Sequence, residues 1–323
     1  MSGTDADGES AASSPEGGES TKAIIAALSA NVGIAITKFV SFLLTSSSSM
    51  LAESIHSVAD SGNQILLLVG GRKAKRGATP EHPFGFGRER YVYGFIVSIV
   101  LFTVGGLFAL YEAWEKWHDP HGITGFWWWL PIVVLVVSIG FEGSSFLVAM
   151  RESKKARGDG GVFRFVRTAK APELPVVLLE DSAAVMGLVF ALAGIVLTLL
   201  TGDGRWDAAG TGLIGLLLVT VAAVLGIEMK SLLIGEAASG RHRRLIEAAI
   251  PGEGVDGIVH MRTMHLGPEE LLVAAKIAIP RSETGQEIAA AIDAAEARIR
   301  EAVPIARVIY LEPDIRRDTL KES

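Results

Sequence analysis

The amino-acid sequence contains six long apolar segments, and no other feature limits the possible folds as strongly. They cover approximately residues 22–45, 49–71, 91–114, 126–150, 174–201 and 207–234. Each segment is long enough to cross about 30 Å of hydrocarbon as a helix. Since 49% of the residues are apolar and only 20% are charged, the composition agrees with this interpretation. We therefore predict a multi-pass α-helical membrane protein whose six transmembrane helices lie within residues 21–236.

The distribution of Lys and Arg between the loops predicts how these helices are oriented. The loops after the second and fourth segments carry thirteen such residues, whereas the opposite loops carry two, Lys116 and Arg205. Basic residues concentrate on the cytoplasmic side of membrane proteins. We therefore expect both termini in the cytoplasm, and the simplest location is a bacterial inner membrane.

The chain has an ordinary soluble composition after the last apolar segment. Residues 237–315 have the pattern helix, strand, strand, helix, strand, which predicts a small α+β cytoplasmic domain of the ferredoxin-like type. Residues 1–20 are rich in Gly, Ser, Ala and acids, so they predict a disordered acidic tail in the cytosol. Residues 316–323 are predicted to form a second tail.

A stripe of ionisable residues follows the first half of the second apolar segment, and it consists of Glu53, His56 and Asp60. At about 100° per residue, the two carboxylates lie within about 20° of each other and the imidazole lies about 40–60° away. An ionised carboxylate near the bilayer centre costs about 2.5–3.5 kcal/mol. These residues therefore predict a cation site. The alternative is a polar clamp that satisfies buried groups between helices.

The fifth apolar segment contains two adjacent acids, Glu180 and Asp181, as further ligands. Adjacent helical residues point about 100° apart, so only one of these two acids can point directly at a given site. The chain contains no Cys, which excludes thiolate ligands. In the fourth segment, Glu142 either makes a hydrogen bond to another helix or lies on the cation path. In the first segment, Lys38 either neutralises an acid or extends towards the membrane surface.

Several motifs together resemble the cation diffusion facilitator family. They are the pair Asn31 and Lys38, the run SSSSMLAESIHSVAD, the loop HPFGFGRERY and the sequence YEAWEKW. The resemblance covers essentially the whole chain after the first tail. Within the family, SIHSVADSGNQ, HPFGFGR and VVLLED are most similar to the zinc transporter nine branch.

This resemblance implies a transporter and not an enzyme. It implies a homodimer that exports Zn²⁺ or a similar divalent cation by alternating access, usually in exchange for protons. By the same resemblance, the site lies between the second and fifth helices and uses His56, Asp60 and Asp181. The cation is expected to enter between the second, third and fifth helices. The expected partners are this cation, protons, membrane lipid and a second copy of the chain, without nucleic acid.

One position of this site departs from the family pattern. Val177 stands where the family usually has a histidine on the fifth helix, and valine cannot bind a metal. A fourth ligand has to come from elsewhere, with Glu180 as the first candidate, then Glu53, then Asn31 or water. A site with one imidazole and mostly oxygen ligands is less selective for Zn²⁺, so Mn²⁺, Co²⁺ and Fe²⁺ remain alternatives.

Two other metal positions of the family also differ in this chain. In the loop after the second helix, His82 matches one of two usual histidines, and Phe86 replaces the other. In the cytoplasmic domain, the positions of a zinc pair are occupied by Val259, Lys276, Tyr310 and Glu312. Because a lysine opposes a cation, we expect no structural metal in this domain and dimerisation without one.

The family also has a basic residue in the loop after the second helix, and Arg88 stands at that position. The resemblance implies that it forms an ion pair with an acid after the sixth helix, here Glu236. The alternative is a contact between Arg88 and a lipid headgroup.

Three other functions compete with a metal transporter. An exporter of organic cations would need a wide aromatic-lined cavity, whereas Ala, Ser and Gly surround these acids. A membrane-embedded metalloenzyme would need a motif such as HExxH or a nucleophilic serine motif, and the apolar segments contain neither. A metal-binding scaffold without transport activity would have the same site, so only a transport measurement distinguishes it.

Overall fold

The computed structural model describes residues 16–123, 126–158 and 160–315. The first eight helices and one π-helical segment are α1 (Glu16–Thr45), α2 (Ser48–Ala74), α3 (Glu89–Val100), the π-helical segment (Leu101–Leu107), α4 (Phe108–His118), α5 (Leu130–Arg157), α6 (Val162–Thr168), α7 (Glu173–Thr201) and α8 (Arg205–Ile234). The π-helical segment joins α3 and α4 into one continuous helix.

Within the described residues, four helices are long and apolar enough to cross a membrane. They are Glu89–His118, Leu130–Arg157, Glu173–Thr201 and Arg205–Ile234. The apolar part of α1, Asn31–Thr45, is shorter, and the polar stripe lowers the hydropathy of α2. The chain is therefore a multi-pass membrane protein, and the crossing of the membrane by α1 and α2 stays a prediction.

Helix α1 begins at Glu16, before the predicted end of the N-terminal tail at residue 20. Once a helix is nucleated, each further residue adds a hydrogen bond, so α1 extends beyond the apolar segment that starts near residue 22. Residues 1–15 and 316–323, which belong to the predicted tails, lie outside the described residues.

Glycines bring α7 and α8 into close contact. A Cβ atom at Gly194 would lie 2.8 Å from the carbonyl oxygen of Trp206, and one at Gly210 would lie 2.8 Å from that of Phe190. Both positions therefore require glycine. Small residues at helix interfaces allow this close packing within lipid. Helix α7 also contacts α2 and α5, so its side chains reach both of these helices.

The N-terminus of α2 is held by Asp207 at the start of α8. Ser47 caps α2 and accepts a hydrogen bond from the backbone N–H of Met50. The Asp207 carboxylate accepts hydrogen bonds from Ser47 Oγ (3.0 Å) and from the backbone N–H of Ser48 (2.8 Å). Lys116 Nζ lies 3.8 Å from the same carboxylate. These contacts satisfy the free N–H groups of the helix end and fix α2 relative to α8.

The C-terminal part of the described chain is a small α+β unit. Its elements are α9 (Gly240–Ala249), β1 (Gly257–Gly267), β2 (Glu270–Ala278), α10 (Gly285–Ala302) and β3 (Val308–Asp314). The strand order is β1-β2-β3, with β1 antiparallel and β3 parallel to β2. Leu271, Val273 and Ile277 of β2 are buried in a core that also contains Ile246 of α9 and Ile299 of α10. The predicted order of helices and strands is confirmed.

The loop between α2 and α3 contacts the turn between β1 and β2. A Cβ atom at Gly87 would lie 2.9 Å from the carbonyl oxygen of Leu266. Arg90 Nε lies 2.5 Å from Glu173 at the start of α7, and its Nη1 lies 3.4 Å from Glu269 in the turn. One arginine therefore joins α3, α7 and the cytoplasmic sheet.

The predicted ion pair between Arg88 and Glu236 is wrong. Glu236 accepts hydrogen bonds from Lys170 and Ser231, and Arg88 contacts the sulfur of a methionine in β1 at 3.2 Å. The chain leaves α8 through Gly235, whose φ is +112°, and this turn brings the Glu236 carboxylate to Lys170. Burial opposes ionisation of Glu236, but these hydrogen bonds outweigh it and hold its pKa below the usual range.

Candidate cation site in the membrane helices

His56 and Asp60 lie one turn apart on α2, as their spacing predicts. The side chain of His56 is 2% exposed, and its Nδ1 lies 3.4 Å from Asp60 Oδ1. Neither ring nitrogen has a hydrogen-bond partner among the described residues. A buried polar atom without a partner costs free energy, and both ring nitrogens remain available to a ligand.

Glu53, on the same stripe, is paired with a lysine. Lys38 Nζ lies 3.0 Å from Glu53 Oε2 and donates a hydrogen bond of 2.8 Å to Ser57. Both members of the ion pair are buried, with 1% and 0% of their side chains exposed. Lys38 therefore neutralises an acid and does not extend to the membrane surface. The other oxygen of Glu53 faces Gly187, where a Cβ atom would lie 2.9 Å away.

The two adjacent acids of α7 contact different helices. Glu180 Oε1 accepts a hydrogen bond of 2.7 Å from Asn63 on α2. Asp181 Oδ2 accepts one of 2.9 Å from Ser145 on α5. This divergence follows from the 100° step between neighbouring helical residues. The α7 acids are thus directed towards both α2 and α5.

A cavity of about 140 Å³ lies between α1, α2, α5 and α7. Its wall contains four carboxylates, Asp60, Glu142, Glu180 and Asp181, together with Val177 and several neutral side chains. No Lys or Arg of the described chain lines this cavity. The continuous helix made of α3, the π-helical segment and α4 contributes no residue to the lining, whereas α5 does. The cavity thus lies beside α5, and the predicted entry between the second, third and fifth helices stays a prediction.

A groove of about 340 Å³ adjoins the cavity between α5 and α7. It shares Ser145, Val177 and Asp181 with the cavity and extends to Glu152 and Glu173. Glu173 is the first residue of α7, and Glu152 lies near the end of α5. The groove therefore connects Asp181 with the ends of these helices that carry the basic loop.

The predicted ligands do not converge in this conformation. Among the residues that the structure describes, no three His, Asp or Glu side chains are close enough together to hold a metal ion. His56 and Asp60 are neighbours on α2, and Asp60 lines the cavity, whereas Asp181 lies on the α7 wall of the same cavity. Glu180 also lines the cavity, but Glu53 is held outside it by Lys38.

The other positions considered for metal are engaged in protein contacts. Lys276 Nζ lies 3.0 Å from Glu312 and 3.4 Å from Asp314. The hydrogen bonds to these two acids raise the pKa of Lys276. In the loop after α2, the ring of His82 packs edge-on against Phe86, with 4.7 Å between the ring centroids. The metal-free state of the cytoplasmic domain stays a prediction.

Two residues of the site were not assigned from the sequence. Asn63 lies one turn after Asp60, and this spacing is a signal that it shares the same face of α2. The sequence allows two roles for Glu142, and the structure places it in the cavity wall. Its orientation towards the cavity depends on the rotation of α5 about its axis, which sequence periodicity does not determine.

Comparisons with known proteins agree with the motifs. The family model described as the cation efflux transmembrane domain matches residues 24–234. The chain is 31% identical over 259 residues to the mitochondrial proton-coupled zinc antiporter SLC30A9 of Xenopus laevis, covering 79% of this chain and 46% of that protein. It is 31% identical over 249 residues to the human protein of that name, covering 76% and 44%. It is 29% identical over 265 residues to metal tolerance protein C4 of Arabidopsis thaliana, covering 80% and 57%.

The chain spans about half the length of these relatives. The family match nevertheless covers most of the helical region. Members of this family are transporters and not enzymes, which removes the membrane metalloenzyme from the alternatives. The chain therefore belongs to the cation diffusion facilitator family, in its zinc transporter nine branch.

Proposed function

We propose that this protein exports a divalent cation, Zn²⁺ in the first instance, in exchange for protons. The main support is that Asp60 of α2 and Asp181 of α7 line one cavity, with the unpartnered His56 beside Asp60. One nitrogen and several carboxylate oxygens are suitable ligands for a divalent transition metal. Two relatives are described as proton-coupled zinc antiporters, which supports Zn²⁺ as the substrate.

The proposed ligands of the transported ion are His56, Asp60 and Asp181, with Glu180 close by. Because these groups lie on separate walls, we propose that the ion draws α2 and α7 together. A divalent cation neutralises carboxylates whose charge is costly within lipid. It therefore binds the closed arrangement more tightly and shifts the population towards it. This coupling supplies the conformational change that alternating access requires.

Proton exchange follows from the chemistry of the same ligands. Imidazole and carboxylate have to be deprotonated to bind a metal. Protons therefore compete with the metal ion for the same side chains. A proton that binds His56 in the outward-facing state displaces the ion, and no separate proton relay is needed.

The groove between α5 and α7 is the proposed cytosolic access route. Glu152 and Glu173 lie at its outer end, and Asp181 lies where it meets the cavity. Negative charges along such a groove attract cations and raise their local concentration. The path therefore passes along α5 and α7 before it reaches Asp60.

The proposal extends to the organisation of the whole chain. Residues 21–236 form the transport domain, and residues 237–315 form a cytoplasmic domain through which two copies dimerise without a bound metal. The basic loops support a cytoplasmic position for both termini. A bacterial inner membrane is the proposed location, although the animal relatives are described as mitochondrial.

Transport assays in proteoliposomes test this function. The purified protein is reconstituted with a pH gradient, and entrapped dyes report the uptake of Zn²⁺, Mn²⁺, Co²⁺ or Fe²⁺ and the internal pH. His56→Ala and Asp60→Asn should each abolish the coupled fluxes, because each removes a proposed ligand. Glu112→Gln is the control, since this acid of α4 does not line the cavity.

The possible results separate the competing functions. Metal flux that is accompanied by proton flux and lost in both ligand variants supports the proposal. Metal binding without flux identifies a scaffold instead. Transport of all four metals by His56→Ala at the wild-type rate would show that this imidazole is not a ligand.

A further inference from the structure

We infer that Glu142 of α5 is the fourth ligand of the transported cation. This inference rests on the proposed function, because it concerns the same site. Val177 lies in the cavity wall, and its aliphatic side chain has no lone pair to donate to a metal. The α7 helix therefore supplies no nitrogen ligand at this position, and another residue has to supply the missing ligand.

The two acids that the sequence ranks first as the fourth ligand, Glu180 and Glu53, already make protein contacts. Glu53 is paired with Lys38 at 3.0 Å and lies outside the cavity. Glu180 accepts a hydrogen bond of 2.7 Å from Asn63. The ion pair occupies Glu53, and the hydrogen bond at Glu180 engages one of its two carboxylate oxygens, as the bond from Ser145 does at Asp181.

Within the part of the chain that the structure describes, Glu142 makes neither an ion pair of this kind nor such a hydrogen bond. It lies one turn before Ser145 on α5, and Ser145 donates a hydrogen bond of 2.9 Å to Asp181. Glu142 and Asp181 thus belong to the same junction between α5 and α7, and both line the cavity. Glu142 has no hydrogen-bond or ion-pair partner among the described residues. A carboxylate within a lipid-spanning helix is costly and is usually functional.

A second, independent observation indicates that the cavity receives a ligand. His56 is almost completely buried and has no hydrogen-bond partner for either ring nitrogen in the described part of the chain. Its Nδ1 faces Asp60, which lines the cavity. An unpartnered imidazole therefore lies beside Asp60, and the unpartnered carboxylate of Glu142 lies in the wall of the cavity that Asp60 and Asp181 line.

This assignment has a consequence for the class of substrate. The site would have one imidazole, from His56, and three carboxylates, from Asp60, Glu142 and Asp181. Oxygen ligands suit harder ions such as Mn²⁺, whereas imidazole suits Zn²⁺. We therefore expect this protein to discriminate less between Zn²⁺ and Mn²⁺ than a site in which position 177 is a histidine.

Metal titrations of the full-length protein in lipid nanodiscs test this inference. Isothermal titration calorimetry gives the dissociation constants of Zn²⁺ and Mn²⁺ for wild type, Glu142→Gln and Glu142→His. Glu142→Gln should weaken the binding of both metals at least ten-fold. Glu142→His should retain Zn²⁺ binding and weaken Mn²⁺ binding, so that the ratio of the two constants moves towards Zn²⁺. Glu112→Gln removes a comparable acid from α4 and should change neither constant.

A rescue experiment separates ligation from a structural role. Val177→His is added to Glu142→Gln, and Zn²⁺ binding should recover if residues 142 and 177 face the same ion. Glu142→Asp keeps the carboxylate on a shorter side chain, so it should bind both metals more tightly than Glu142→Gln. Equal constants for these two variants would overturn the inference, and so would the absence of rescue by Val177→His.

The same titrations distinguish failure of the inference from failure of the proposed function. Wild-type affinity in Glu142→Gln together with lost binding in Asp181→Asn would overturn the role of Glu142 alone. Wild-type protein that binds neither metal would overturn the role of Glu142 and the proposed function together.

Discussion

The buried pair between Lys38 and Glu53 allows a quantitative test of the packing of α1 against α2. Their charged atoms are 3.0 Å apart, with 1% and 0% of the side chains exposed. Removing one partner of such a pair costs about 3–5 kcal/mol, because the other charge stays buried without compensation. We expect Lys38→Met to lower the free energy of unfolding by this amount. The double variant Lys38→Met, Glu53→Gln should recover most of the loss, since it leaves no buried charge.

Unfolding by SDS titration in mixed micelles, followed by tryptophan fluorescence, measures these free energies. Wild type, the two single variants and the double variant form a complete mutant cycle. Lys155→Met is the matched control, because Lys155 pairs with Glu152 at the surface, with 74% and 51% of the side chains exposed. Such a pair contributes at most about 1 kcal/mol. A loss below about 1 kcal/mol in Lys38→Met, or strictly additive losses in the double variant, would refute the reasoning.

Two further predictions concern the cytoplasmic side of the molecule. Although burial favours the neutral acid, hydrogen bonds from Lys170 and Ser231 lower the pKa of Glu236. Glu236 therefore stabilises the fold above its unfolded pKa of about 4.3, and this contribution is lost as the pH falls through the lower folded pKa. Thermal unfolding between about pH 6 and pH 3 should depend less on pH in Glu236→Gln than in wild type. Gly87→Ala places a Cβ atom 2.9 Å from a backbone carbonyl oxygen of β1, so limited proteolysis should release the cytoplasmic fragment faster. An unchanged cleavage rate would contradict this contact.

The apolar segments predicted the ends of the long helices to within seven residues, and those of several helices more closely. The second segment was predicted over residues 49–71, and α2 spans Ser48–Ala74. The last was predicted over residues 207–234, and α8 spans Arg205–Ile234. Length and hydropathy determine such bounds, because a helix has to cover the hydrocarbon thickness. The π-helical segment Leu101–Leu107 was not predicted, since it packs against α8, a helix that is distant in the sequence.

The helical phase predicted which residues share a face of α2, but not what lies opposite each of them. Glu53, His56 and Asp60 follow one stripe, yet Glu53 meets a lysine while Asp60 lines the cavity. The difference depends on the rotations of α1 and α5 about their axes, which are decided by packing between helices. Glu142 was ambiguous for the same reason, because one intramembrane acid on its own helix has no local partner to define its role.

The separation of Lys38 from the cavity is what leaves the carboxylates available to a mobile cation. A tethered ammonium group in the cavity would neutralise Asp60 or Asp181 at a high effective concentration, and a dissolved ion would compete with it poorly. Lys38 is instead held by Glu53 and Ser57. Under the proposed function, the ammonium group of Lys38 and the transported cation thus bind different acids. Selection among metals is then left to the imidazole and to the carboxylates that have no positive partner in the described chain.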